Sequence, residues 1–309
     1  MELTTTYLGL ELRNPLVASA SPLSNTIAGI RQLADSGIGG IVLYSLVEEQ
    51  LRGDEADGAV RRYVSLVEQA ATAVDVPIIA SLNGTTPGVW TDFATTLEKA
   101  GAAAIEVNVY HPFGNPALTG RDVEQRYLEL LTTVKAVVGV PVAIKLYPYF
   151  SSMAEIAHRL DAAGADGLVL FNRFMQPDID AETLLVTPGI ELSAPSEARL
   201  PRTWIAVLAG RVTASLAAST GVDSAGDVVK YLLAGADVVM TASALLRHGP
   251  AHARVLLDGL TDWMSHRGFT DLAAVRGLLS AALAEGHPAR ERGDYVSSLL
   301  EADLGHGAW

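Results

Sequence analysis

The chain alternates short apolar runs with longer amphipathic stretches. Eight runs read as strands: Leu16–Ala20, Gly40–Tyr44, Pro77–Ser81, Ala104–Asn108, Pro141–Leu146, Gly167–Phe171, Ser215–Ser219 and Asp237–Thr241. Each is apolar along most of its length instead of alternating, the pattern of a strand covered on both faces. Between them, Thr26–Ser36, Ala59–Ala73, Trp90–Ala100, Asp122–Val138, Met153–Ala163 and Ser224–Ala234 carry apolar residues at helical spacing. Several of these close on glycine, at Ser36-Gly37, Ala100-Gly101, Ala163-Gly164 and Ala234-Gly235. Glycine most easily takes the left-handed conformation that stops a helix.

Eight strands alternating with helices predict an α/β fold, a single (β/α)8 barrel domain spanning residues 1–309. An open doubly wound sheet is the alternative. The strand count and the lack of an early Gly-x-Gly-x-x-Gly favour the barrel. The gap after the sixth strand, 173–208, is too long for a simple connection and spreads Pro177, Pro188, Pro195 and Pro201 along it. It reads as an insertion over the barrel mouth with room for a hairpin. The segment after Arg247 reads as helical.

Composition narrows the classes. With 49% hydrophobic and 18% charged residues, the chain is of globular type. A net charge of −13 argues against a nucleic-acid partner or an anionic membrane surface. Cysteine is absent, which removes disulfides, thiolate metal sites, a cysteine nucleophile and cysteine-held iron–sulfur clusters of this chain. No signal-peptide pattern opens the chain and no apolar run is long enough to span a bilayer, so the expected location is the cytoplasm.

In a barrel of this type, chemistry gathers where strands end. The predicted ends carry Ser19 and Ser21, then Tyr44 and Ser45, then Ser81 and Asn83, then Asn108, Tyr110 and His111. Lys145, Asn172 and Arg173 follow, then Ser219-Thr220-Gly221 and Thr241-Ala242-Ser243. No carboxylate pair is among them, which argues against glycosidase chemistry, and no metal-ligand spacing appears. The small residues at the last two ends, each followed by a helical pattern, suit a phosphate, although they also suit plain packing. Lys145 lies inside an apolar strand, where a charge requires an opposite charge or an anionic ligand. It either pairs with an interior acid such as Glu106 or faces a ligand. His111 is either a working imidazole or an idle loop side chain. Asn108 and Asn172 either bind or cap loop backbone.

Taken in order, these residues resemble the dihydroorotate dehydrogenase family. The resemblance also extends to the pyrimidine-reducing domain of dihydropyrimidine dehydrogenase. It runs from Leu8 to about Gly249. Leu8-Gly9-Leu10, Asn14-Pro15-Leu16 and Ala18-Ser19-Ala20-Ser21-Pro22 are similar to the family's first-strand region. Val107-Asn108-Val109 is similar to its fourth strand, Ala143-Ile144-Lys145-Leu146-Tyr147-Pro148 to its fifth, and Leu170-Phe171-Asn172 to its sixth. Ser219-Thr220-Gly221-Val222 and Thr241-Ala242-Ser243-Ala244-Leu245 resemble its two phosphate loops.

The resemblance implies an FMN-dependent oxidoreductase converting dihydroorotate to orotate. It assigns FMN to Ala18, Ser19, Ala20, Ser45, Asn83, Asn108, Lys145, Asn172, Ser219, Thr220, Gly221, Ala242 and Ser243. A pyrimidine-like substrate falls to Tyr44, Asn108, Asn172 and Arg173, and catalysis to His111 and Lys145. A homodimer follows by family analogy, and an electron-transfer partner is compatible with the missing cysteines. Several positions depart from the family pattern. His111 stands where the family has a Ser or Cys base, Phe113 where it has a polar substrate contact, Tyr44 where it has a lysine, and Arg173 where it has a small hydroxyl residue. The flavin shell is therefore better kept than the substrate shell. That leaves three alternatives: a divergent flavoprotein with another substrate, a redox-partner subunit, and a non-flavin phosphate-binding isomerase or aldolase that uses the Lys145 amine.

Overall fold

A computed structural model describes residues 1–51, 56–84, 87–109, 115–173, 176–187, 189, 191–280, 293 and 295–300. The first strands, β1 (Thr5–Tyr7) and β2 (Leu10–Leu12), pair as an antiparallel hairpin. Eight parallel strands then close a barrel. They are β3 (Leu16–Ala18), β4 (Gly40–Val47), β5 (Ile78–Asn83), β6 (Ala104–Asn108), β7 (Val142–Leu146), β8 (Gly167–Leu170), β11 (Ser215–Ala218) and β12 (Val238–Thr241). Their outer faces meet α1 (Ile27–Asp35), α2 (Ala56–Ala73), α3 (Pro87–Lys99), α4 (Gly120–Lys135), α5 (Met153–Ala162), α6 (Arg199–Leu208) and α7 (Ala225–Ala234). The chain continues through α8 (Ser243–His248) and α9 (His252–Arg267).

Two apolar layers explain why the strands read as unbroken hydrophobic runs. Val17, Val42, Ile79, Ala104, Ala143, Val169, Ala217 and Val238 fill the barrel interior. Alternate residues, such as Leu16, Ile41, Ile78, Ile105, Ile144 and Leu168, pack outward with the helices. The β1–β2 hairpin brings Tyr7, Leu8 and Leu12 into the interior layer. It is tied down by the Leu8 N–H to Ser215 Oγ at 3.1 Å and by Thr5 Oγ1 to the Asp237 carbonyl at 3.0 Å. Leu8-Gly9-Leu10 therefore belongs to a hairpin beside the first residues of β8 and β11, away from the ends that carry Asn108 and Lys145.

Helix boundaries follow local chemistry. Thr26 caps α1 through the Gly29 N–H. Thr119 with Asp122 and Ser224 with Asp227 form reciprocal capping boxes on α4 and α7. Gly235, at φ 114°, ends α7 in the left-handed conformation.

The connection after β8 differs in part from the expectation for 173–208. It holds an antiparallel hairpin, β9 (Asp178–Asp180) and β10 (Leu185–Thr187), whose Ile179, Leu184, Leu185 and Val186 are exposed. Residues 199–208, however, are not insertion but the barrel helix α6, which buries Ile205, Ala206 and Leu208. Pro201 sits in its first turn, where a missing N–H has no intrahelical partner to lose.

Candidate active site at the barrel mouth

One cavity opens where the barrel strands end, and it gathers most of the predicted positions. Lys145 and Asn108 are register partners on β7 and β6. Both are almost fully buried yet reach the cavity wall. The Lys145 Nζ lies 3.3 Å from Glu106 Oε1 and 3.2 Å from Ser19 Oγ. The two readings of Lys145 are thus not exclusive, since it pairs with Glu106 and also lines the cavity. Strand β3 ends at Ala18, so Ser19 and Ala20 belong to the loop and line the cavity, while Ala18 stays in the outer packing layer.

On the next wall, Asn108 Nδ2 donates to Ser81 Oγ at 2.8 Å and to Ser45 Oγ at 3.3 Å. The two serine hydroxyls lie 2.8 Å apart. This leaves Asn108 Oδ1 buried without a hydrogen-bond partner among the described residues. A buried acceptor of this kind costs stability unless a ligand donor meets it. Asn83, Asn172 and Arg173 extend the same wall. Arg173 donates from Nε to the Glu191 carbonyl at 2.7 Å and from Nη1 to Glu197 Oε1. Burial works against the charged Glu197 carboxyl, but the Ala194 N–H and the Arg173 guanidinium outweigh it and hold the group below the usual carboxylate range.

At the other end of the cavity, Ser219, Thr220, Gly221, Ala242 and Ser243 converge. Thr220 has a positive φ of 87°. The buried Tyr231 hydroxyl holds this turn by donating to the Thr220 carbonyl at 2.7 Å. Ser193, from the connection after β8, joins both loops. Its Oγ accepts the Gly221 N–H at 3.1 Å, and its N–H donates to Ser243 Oγ at 3.0 Å. The first turn of α7 is closed by its own Asp227, which accepts from Ser224. The cavity wall at this end is built from the 219–222 turn and the start of α8, with no residue of α7 in it.

Tyr44, like Ala18, is a predicted residue that the structure sets apart from the cavity. Its ring packs edge-on against Tyr63 of α2, with centroids 5.1 Å apart, and it is absent from the cavity wall. His111 and Phe113 lie outside the described residues. The pattern of strand ends missed Ser193, which comes from a connection with no periodic signal. Phe171, Val222, Met240 and Thr241 also line the cavity, and they sit at or beside strand ends already marked. The described wall carries two cations, Lys145 and Arg173, and no carboxylate. Among the described residues no group of three or more His, Cys, Asp or Glu side chains could hold a metal ion. No helix among them is long and apolar enough to cross a membrane.

A (β/α)8 barrel with a polar cavity at its strand ends is the frame of a barrel enzyme. Residues 57–264 match the model of the dihydroorotate dehydrogenase family. A protein of Aeropyrum pernix provisionally named dihydroorotate dehydrogenase A (fumarate) is 28% identical over 89% of this chain and 97% of its own length. The catalytic subunit of dihydroorotate dehydrogenase B (NAD+) of Methanothermobacter thermautotrophicus is 28% identical over 89% of this chain and 98% of its own. The corresponding subunit of Shouchella clausii reaches 31% over 64% of this chain and 67% of its own. The chain belongs to the dihydroorotate dehydrogenase family. It is accordingly an oxidoreductase acting on CH–CH bonds.

Proposed function

We propose that the chain binds FMN across the barrel mouth and oxidises a pyrimidine-like substrate, with dihydroorotate the first candidate. The observation that carries this reading is one cavity with two complementary ends. Lys145 and the unpartnered Asn108 Oδ1 mark one end, and the turns joined by Ser193 mark the other. The residues fit FMN chemically: an unpaired acceptor and a cation suit a ring bearing imide groups, and small hydroxyl residues suit a phosphate. When bound, FMN supplies the hydride acceptor. Lys145 holds an ammonium where negative charge grows as the reaction proceeds. Asn108, Asn172 and Arg173 orient the substrate, while His111 takes the proton from the carbon next to the one that gives up hydride.

The departures at Tyr44 and Arg173 favour a second reading within this one, a flavoprotein whose substrate is not dihydroorotate. Tyr44 packs on Tyr63, and Arg173 is engaged by Glu197. Both leave fewer polar groups for a carboxylated pyrimidine. The purified chain is expected to be yellow and to bleach when dihydroorotate is added without oxygen. Colour without bleaching moves the substrate and keeps FMN, whereas a colourless chain that takes up no added FMN sinks the whole reading.

The names of the relatives, one citing fumarate and others citing NAD+ and a catalytic subunit, support a small-molecule acceptor or a partner subunit. With no cysteine in this chain, any iron–sulfur relay would belong to that partner. A homodimer in the cytoplasm completes the proposal.

A further inference from the structure

Directly beneath the cavity lies a fully buried acid, Glu106. Glu106 precedes Asn108 by two residues on β6, so its side chain shares the inward face one layer deeper. Glu106 is fully buried, and its Oε1 meets Lys145 Nζ at 3.3 Å. Its Oε2 has no hydrogen-bond partner among the described residues. Tyr7, carried into the barrel interior by the β1–β2 hairpin, has a buried phenol that also lacks one. Burial raises the Tyr7 pKa, and the Glu106 charge raises it further. The carboxylate thus stands on the interior side of the lysine, within electrostatic reach of the hairpin that plugs the barrel.

We propose that Glu106 is a positioning residue that holds the Lys145 ammonium at the cavity wall and limits how much of its positive charge the cofactor feels. The proposal rests on the FMN reading above. A lone ammonium in this apolar strand would be strongly penalised by desolvation, and Glu106 offsets that. The pair, unlike a lone cation, presents little net charge to the cavity. This matters because reduced FMN carries more negative charge than oxidised FMN, so an unattenuated cation would favour the reduced form. A flavin that takes electrons from one molecule and passes them to another works best when neither form is held too tightly. Glu106 supplies that restraint, and Ser19 steadies the same ammonium from the other side at 3.2 Å.

The test uses the full chain. Oxidised FMN binding is measured by fluorescence quenching, and the midpoint potential of bound FMN by anaerobic equilibration with a reference dye. Together they give the ratio of affinities for reduced and oxidised FMN. Glu106→Gln keeps the shape and one acceptor while removing the charge. The expected result is a shift of that ratio toward reduced FMN by about tenfold, which is ~30 mV for a two-electron couple. A residue that only supports packing would weaken both forms alike. An unchanged ratio, or one that moves toward oxidised FMN, overturns the inference. If Glu106→Gln does not fold, Glu106→Asp withdraws the charge by one methylene and is expected to move the ratio the same way by a smaller factor; no movement there also overturns it. A wild-type chain that binds no FMN overturns the functional reading and this inference together. Bound FMN with an unmoved ratio overturns the inference alone.

Discussion

Gly221 offers a direct check on whether the turn after β11 and the connection after β8 form one wall. Its φ is +69°, and a Cβ placed there would lie 2.7 Å from the Ala194 carbonyl oxygen, 2.9 Å from the Ala198 nitrogen and 3.0 Å from the Ala198 Cβ. Two of these are backbone atoms, so no side chain can swing aside. Gly210 is the matched control, with φ +73° and nothing within 4 Å of its Cβ position. Both Gly→Ala substitutions carry the left-handed backbone penalty of about 1–2 kcal/mol. Each recovers ~0.4–1 kcal/mol because alanine restricts the unfolded chain. Gly210→Ala should therefore cost about 1 kcal/mol. Gly221→Ala must also move the 194–198 turn, adding roughly 1–3 kcal/mol of overpacking strain. At about 2 °C per kcal/mol for a chain of this size, the two variants should melt ~2 °C and ~4–8 °C below the parent. Calorimetry gives the difference, and an FMN titration shows where it acts. Gly221→Ala should weaken FMN at least tenfold, while Gly210→Ala leaves FMN binding unchanged. Equal melting losses with equal FMN affinities would refute both the tight contact and its place at the cofactor wall.

Two further perturbations probe the charged wall. Lys145→Met leaves Glu106 buried and unpaired, so it should cost about 3–5 kcal/mol in chemical denaturation and weaken FMN. Adding Glu106→Gln should return part of that stability, and additive losses would rule out the coupling. The Arg173–Glu197 pair predicts an acid limb of stability. Folding lowers the Glu197 pKa, so the unfolded chain binds more protons in acid. Its contribution is then complete above the ordinary Glu pKa and drains as pH falls through the lowered one. Glu197→Gln should flatten that part of the melting-temperature profile between neutral and acid pH, and parallel profiles would remove the pair from the account.

The barrel was legible because burial on both faces leaves an unmistakable trace. The run Ala104–Asn108 coincides with β6, and the other barrel strands differ from their predicted spans by a few residues at the ends. The glycine stop at Gly235 and the serine cap at Ser224 likewise fall at the observed ends of α7. Two elements were not legible. The hairpin β1–β2 has strands of three residues each, too short for any period to show. Helix α6 was hidden by Pro195 and Pro201, which read as loop markers, although Pro201 occupies a helix position that tolerates proline.

The site was legible where a side chain follows from strand register and illegible where the backbone departs from it. Lys145 and Asn108 lie on regular strands, and their neighbours Ala143 and Glu106 continue the same inward alternation. On β4 the alternation breaks. Val42 points into the barrel interior and Leu43 packs outward, so an unbroken strand would turn Tyr44 inward, where the family resemblance implies a lysine. The register with β5 instead shifts between Val42 and Ser45. A bulge of this kind re-aims the side chains that follow it. It delivers Ser45 to the cavity, with its Oγ 2.8 Å from Ser81 Oγ, and leaves Tyr44 edge-on against Tyr63. The path of the strand, as well as the side chain, thus keeps position 44 off the cavity wall. Tyr44→Lys is accordingly expected to set an ammonium beside the Tyr63 ring and to leave ligand binding at the mouth unchanged, and a changed affinity would refute this reading of the shift.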